Sequence, residues 1–98
     1  MKILILGDVM GASGRNALIK KLPKIVNNNE IDFVIVNGEN SADDGRGITQ
    51  EIAEQFFKIG VDVITSGNHI WDKQETANFI NKENRLLRPS NLVEGSPG

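Results

Sequence analysis

The chain has 98 residues, 39% hydrophobic and 24% charged, which is the size and balance of one globular domain or part of one. A net charge of −2 and a pI near 5.3 leave no basic footprint, so duplex DNA is not the default partner. Cysteine is absent, which excludes disulfides and thiolate metal sites. The first apolar run, Met1 to Leu6, is too short for a signal-peptide core and is broken at Asp8. No apolar run approaches the roughly 20 residues that span a membrane. The expected compartment is therefore the cytoplasm, with no membrane partner.

Residues 2–6, apolar from Ile3 onward, read as a buried parallel strand. Gly7 to Gly14 reads as a loop. Arg15 to Asn28 has helical spacing, with Ala17, Leu18, Leu22, Ile25 and Val26 on one side. Pro23 is expected to kink or restart that helix, and Asn27-Asn28-Asn29 to stop it. Asp32 to Val36 is the second strand. Thr49 is a helix N-cap, with Glu51 and Glu54 in the early turns where the helix dipole favours anions. Ile52, Ala53, Phe56 and Phe57 give that helix its apolar face, and Gly60 ends it. Val61 to Ile64 is the third strand, Lys73 to Lys82 a third helix, and Arg85 to Leu87 a short fourth strand. This β-α-β-α-β-α-β order predicts an α/β fold of parallel βαβ units joined by right-handed crossovers.

In such sheets ligands bind outside the carboxyl ends of the strands. The first strand ends in Gly7-Asp8, the second in Gly38-Glu39-Asn40, the third in Gly67-Asn68-His69. Each tip carries a glycine, which permits a tight turn or close backbone approach, followed by side chains that ligate metals. Taken singly these residues have ordinary readings. Asp8 can cap the following helix, Glu39 can be a solvated loop residue, and Asn40 and Asn68 are common in turns. His69, the only histidine, can be a packed core residue beside Ile70 and Trp71. Their joint occurrence at three successive tips points instead to one site. Two phosphate-binding patterns fail on spacing. Gly7, Gly11 and Gly14 give G-x-x-x-G-x-x-G, not the dinucleotide fingerprint, and no G-x-x-x-x-G-K-[S/T] occurs.

The stretches "GDVMG", "NGENSADDGRGIT" and "TSGNHIWD", with the later "LLRPSNLVEGSPG", resemble the calcineurin-like metallophosphoesterases. Within them they resemble the bacterial 2′,3′-cyclic-nucleotide 2′-phosphodiesterase branch, over essentially the whole chain. The G-N-H motif is shared widely in that superfamily; the G-E-N loop and the R-P-x-N segment narrow it. The resemblance implies two metal ions, iron or manganese, with zinc and magnesium as alternatives. It implies Asp8 as a ligand of the first metal, Glu39 as the bridging carboxylate, Asn40 on the first metal or its water, Asn68 on the second metal, and His69 as the catalytic histidine. Asp72 and Glu75 follow His69 and could orient its ring, although both also suit helix-cap and surface positions. Met10 stands where most of the superfamily has a histidine, a departure the branch shares.

The implied substrate is a small phosphodiester or cyclic nucleotide, with RNA ends as a further candidate and a homo-oligomer as a candidate assembly. The implied fold is the N-terminal half of a metallophosphoesterase αββα sandwich, residues 1–98 being the N-terminal part of one domain. The final "EGSPG" reads as mid-loop, and the family draws further histidine ligands from its second half. The alternative from a different class is a binding module that holds a nucleotide or phosphate without hydrolysing it.

Overall fold

The computed structural model describes Met1–Gly98. The elements are β1 (Ile3–Leu6), α1 (Gly11–Asn29), β2 (Phe33–Asn37), α2 (Gln50–Lys58), β3 (Val63–Thr65) and α3 (Thr76–Phe79), with a 3-10 turn at Ile80–Lys82. The strands form one parallel sheet in the order β1-β2-β3. Ile5 pairs with Ile35, and Ile35 with Val63, so these three lie in a row across the sheet.

Two aspartates fix that register. Asp32, just before β2, accepts the Lys2 amide N–H at 2.7 Å. Asp62, just before β3, accepts the Val34 amide N–H at 2.8 Å. Each carboxylate satisfies a strand donor that would otherwise face outward at the start of the ladder. Asp62, the one polar residue in its strand run, thus has a local reason.

Consecutive parallel strands laid down in one direction by right-handed crossovers place their helices on the same face. That is what the burial shows. Val34, Val36 and Ile64 are buried with Leu18 and Leu22 of α1 and Ile52, Ala53 and Phe56 of α2, and Leu4 and Leu6 pack against this cluster. The opposite face is open. Ile3 is 51% exposed and Ile5 70%, while Phe33, Ile35 and Val63 are half-buried. The strands are apolar throughout, yet the helices cover only one side. This one-sided sheet is the arrangement expected of half a sandwich.

Several boundaries differ from the sequence reading. α1 begins at Gly11, inside the expected loop, and runs unbroken through Pro23 to Asn29. Pro23 and Ile19 are both exposed, so the turn that loses a hydrogen bond to the proline ring lies on the solvent side of the helix. The helix ends with Glu30 in the left-handed region, φ 54°. β3 starts at Val63, two residues later than expected, because Val61 is still bonded back to Phe56. The third helix shrinks to Thr76–Phe79 and its 3-10 extension. The fourth strand is reduced to a single bridge between Ile64 and Leu86. It is held by Ile64 N–H to Arg85 O at 2.8 Å and Leu87 N–H to Ile64 O at 2.9 Å. The Thr49 cap is as expected, its hydroxyl accepting the Ile52 N–H at 3.2 Å. No helix is long and apolar enough to cross a membrane.

The two sheet faces should respond differently to substitution. Produced as these 98 residues alone, the chain is expected to self-associate through Ile3, Ile5 and their row. Ile5→Lys should weaken that association in sedimentation velocity while changing stability by only about 0.5 kcal/mol. Phe56→Ala, on the covered face, should cost about 3–5 kcal/mol in denaturant unfolding. A monomer whose sedimentation Ile5→Lys leaves unchanged would contradict the open-face assignment.

Candidate functional site

Parallel pairing brings the carboxyl ends of β1, β2 and β3 to one edge of the sheet, and the three turns there are fixed by backbone bonds between neighbouring loops. Val9 N–H donates to Asn37 O at 3.1 Å, Gly11 N–H to Asn40 O at 2.9 Å, and Gly38 N–H to Thr65 O at 3.0 Å. Buried Val9 and Ile70 anchor the turns that carry Asp8 and His69. Asp8 has φ 33°, a strained conformation for a residue with a side chain. Such strain persists only where the surroundings over-determine it.

The side chains then meet through Asn40. Its Nδ2 donates to Asp8 Oδ1 at 2.8 Å, and its Oδ1 lies 2.6 Å from His69 Nδ1. A carboxylate can only accept, so the amide nitrogen faces Asp8 and the amide oxygen faces histidine. An amide oxygen can also only accept. The proton of a neutral His69 ring is therefore on Nδ1, and Nε2 is left for a ligand. Asn40 is 9% exposed, which keeps water from competing for both bonds.

Glu39 approaches the same ring nitrogen as Asn40, at a longer distance. Its Oε2 is 3.7 Å from His69 Nδ1 and its side chain is 17% exposed. Two longer contacts hold the carboxylate, from His69 N–H to Oε2 at 3.4 Å and from Asn37 Nδ2 to Oε1 at 3.4 Å. The expected residues Asp8, Glu39, Asn40 and His69 are thus brought together. Asn68 lies at the same edge but is exposed, and its side chain takes no part in these bonds. Asp72 and Glu75 do not orient the ring. Glu75 accepts the Gln50 N–H at 3.0 Å, at the start of α2, and Asp72 enters the turn only through its own N–H to His69 O.

Residues outside the strand-tip motifs also shape the edge. Arg15 of α1 donates to Ser41 O and to Asp43 Oδ1, each at 2.6 Å, and its side chain is 16% exposed. Lys73 donates to Asp44 Oδ2 at 2.7 Å. These ties hold the segment after Asn40 between α1 and the turn after β3. The Lys73 bond, with the Arg46 amide, holds the Asp44 carboxyl below its ordinary range. That tie is complete at neutral pH and is lost when acid protonates Asp44 below the ordinary carboxylate range. In the sequence the only sign of Arg15 is that it opens a helical pattern; its partners lie 26 and 28 residues away.

The donor set is oxygen-rich with one imidazole, which suits iron, manganese, zinc or magnesium. Donors of this chemistry could supply part of a coordination shell. No three His, Cys, Asp or Glu side chains come close enough to hold an ion by themselves, since the Asn40 amide stands between Asp8 and His69.

These features define a parallel α/β unit whose ligand edge carries acid, amide and imidazole groups. The chain belongs to the YmdB-like protein family, whose model matches residues 4–98. It is 44% identical over 98 residues to a 2′,3′-cyclic-nucleotide 2′-phosphodiesterase of Bacillus subtilis (strain 168), covering 100% of this chain and 37% of that protein. A hypothetical protein from Thermus thermophilus, of known crystal structure, superposes with a TM-score of 0.89 at 37% identity, covering 100% of this chain and 37% of that one. A crystal structure described as a novel phosphatase, from Mycoplasma pneumoniae, gives a TM-score of 0.87 at 39% identity, covering 95% and 33%. The chain therefore spans about a third of the length of these relatives.

Arg15 should be more sensitive than a surface charge. Arg15→Gln leaves the carbonyl of fully buried Ser41 without its partner, at about 1–3 kcal/mol. Arg15→Lys should recover only part of this, because an ammonium cannot span both acceptors as the guanidinium fork does. Thermal unfolding of the three proteins checks the order; equal stability of all three would contradict it.

Proposed function

We propose that this chain carries one side of a dinuclear metal phosphodiesterase site acting on 2′,3′-cyclic nucleotides and other small phosphodiesters. The observation that carries the reading is the Asp8–Asn40–His69 chain of bonds, with Glu39 beside it, at the shared edge of three parallel strands. It is supported by the 44% identity to a protein named for that activity. Asp8, Glu39, Asn40 and Asn68 would hold the metal ions, iron or manganese first among them. Residues corresponding to the rest of the relatives' length would complete the shell.

When bound, such ions neutralise phosphate charge and lower the pKa of a water. The chain's own residues do the remaining work. Asn40 holds the His69 ring with Nδ1 occupied and Nε2 free. As the imidazolium, with Nδ1–H still held by Asn40, the ring can give its Nε2 proton to the leaving alkoxide oxygen and return to the neutral Nδ1–H form, which spares the expulsion of an unstabilised anion. Asp8, through the other end of the same amide, keeps Asn40 from flipping and so keeps the ring in place. An RNA end with a terminal cyclic phosphate presents the same group as a cyclic nucleotide. The compartment proposed for this chemistry is the cytoplasm, and a homo-oligomer is the proposed assembly.

Two variants of the native chain test this. Glu39→Gln should lose metal and phosphodiesterase activity together, measured by elemental analysis and turnover. A full metal complement in that variant would remove the bridging role. His69→Ala should keep its metal while turnover on 2′,3′-cyclic nucleotides falls by roughly 10²–10⁴-fold, the range for a lost general acid. The fall should be smaller on a p-nitrophenyl ester, whose leaving group needs little protonation. Equal losses on both substrates would contradict the acid role. Nucleotide binding without turnover in the reconstituted wild type would favour a binding module instead.

A further inference from the structure

We propose that Gly67 is a positioning residue whose missing side chain is the seat of the Glu39 carboxylate. A Cβ built on Gly67 would fall 2.6 Å from both Glu39 Cδ and Oε2, and would overlap Oε1 as well. The whole carboxylate therefore lies against the Gly67 Cα. Such an approach is open to glycine alone.

Backbone conformation does not explain this glycine. Six glycines of the chain have positive φ, and Gly67 is not among them. Core side chains are not what stands nearest either: the three atoms closest to that Cβ position all belong to Glu39. Gly38, by contrast, is pressed by the core side chains Ile64, Ile48 and Phe56. What stands over Gly67 is the far end of a rotatable acidic side chain.

The seat has two further walls. Asn37 Nδ2 and the His69 N–H face the two carboxylate oxygens, each at 3.4 Å. Asn37 Oδ1 is itself buried without a hydrogen-bond partner, so this amide is held at a cost that its contact with Glu39 helps to offset. The three groups together fix where a glutamate, one methylene longer than aspartate, delivers its charge.

The consequence separates a seat from a structural glycine. With Ala at 67, Glu39 can rotate away, so the fold should lose little. The site should lose its carboxylate position. Displaced outer groups of this kind lower metal affinity by about 10–100-fold. Shortening the acid should relieve the overlap, so Glu39→Asp in the Gly67→Ala background should regain affinity over Gly67→Ala alone.

The inference rests on the reading of Glu39 as a metal ligand, and the test separates the two. The native chain and the variants Gly67→Ala, Glu39→Asp/Gly67→Ala and Glu39→Gln are compared. Thermal unfolding, manganese titration followed by electron paramagnetic resonance, and crystal structures of the metal-free proteins are the three readouts. The expected result for Gly67→Ala is a folded protein, a carboxylate moved off residue 67, and manganese affinity down about 10–100-fold with partial recovery in the double variant. A carboxylate still resting on residue 67 overturns the seat. A displaced carboxylate with unchanged manganese affinity overturns the positioning role. If Glu39→Gln is then unchanged as well, the failure lies with Glu39 as a ligand; if Glu39→Gln loses manganese, it lies with Gly67.

Discussion

Laying strands down side by side in parallel, each joined to the next by a right-handed crossover, forces two results at once. The helices must sit on one face of the sheet, and the strand tips must share one edge. Both hold here because the order β1-β2-β3 is sequential. Asp32 and Asp62 pin each strand to the one before it. A slip of one residue would turn Val34, Val36 and Ile64 out of the core and move Glu39 away from Asp8 and His69. The site's geometry and the core's packing are therefore set by the same register.

At the shared edge the decisive group is an amide. Asn40 donates to a carboxylate and accepts from an imidazole, so one buried side chain fixes the state of both neighbours. It also stands between them, which is why the edge presents donors on a line and not in a closed cage. A line of donors at the rim of a sheet suits ligands that are completed from outside the unit. The open apolar face with Ile3 and Ile5 has the same character, since it too is finished on one side only. Both features agree with the third or so of the relatives' length that the chain spans.

Much of this was legible in the sequence because short-range chemistry writes it there. Apolar runs, the Thr49 cap and the glycine-acid or glycine-amide tips each mark a local conformation, and parallel topology then brings the tips together. The start of α1 and the extent of the fourth strand depend on distant contacts. Gly11 and Gly14 are poor helix formers, yet α1 starts at Gly11, whose N–H reaches Asn40 O. Arg85 to Leu87 has strand-like residues, but it keeps only one bridge to Ile64. The role of Arg15 is hidden in the sequence for the same reason, since its partners lie 26 and 28 residues away. The paired Asp32 and Asp62, each following an aliphatic residue and opening a strand, are a sequence signal of strand register.

The proposed function requires that the tips of β1, β2 and β3 form one side of a metal site. Crystals of the native chain grown with manganese, measured on either side of the manganese absorption edge, test this most directly. The expected result is an anomalous difference peak at the strand edge, in contact with the carboxylates of Asp8 and Glu39. A map with manganese bound elsewhere, or with none at that edge, would contradict it.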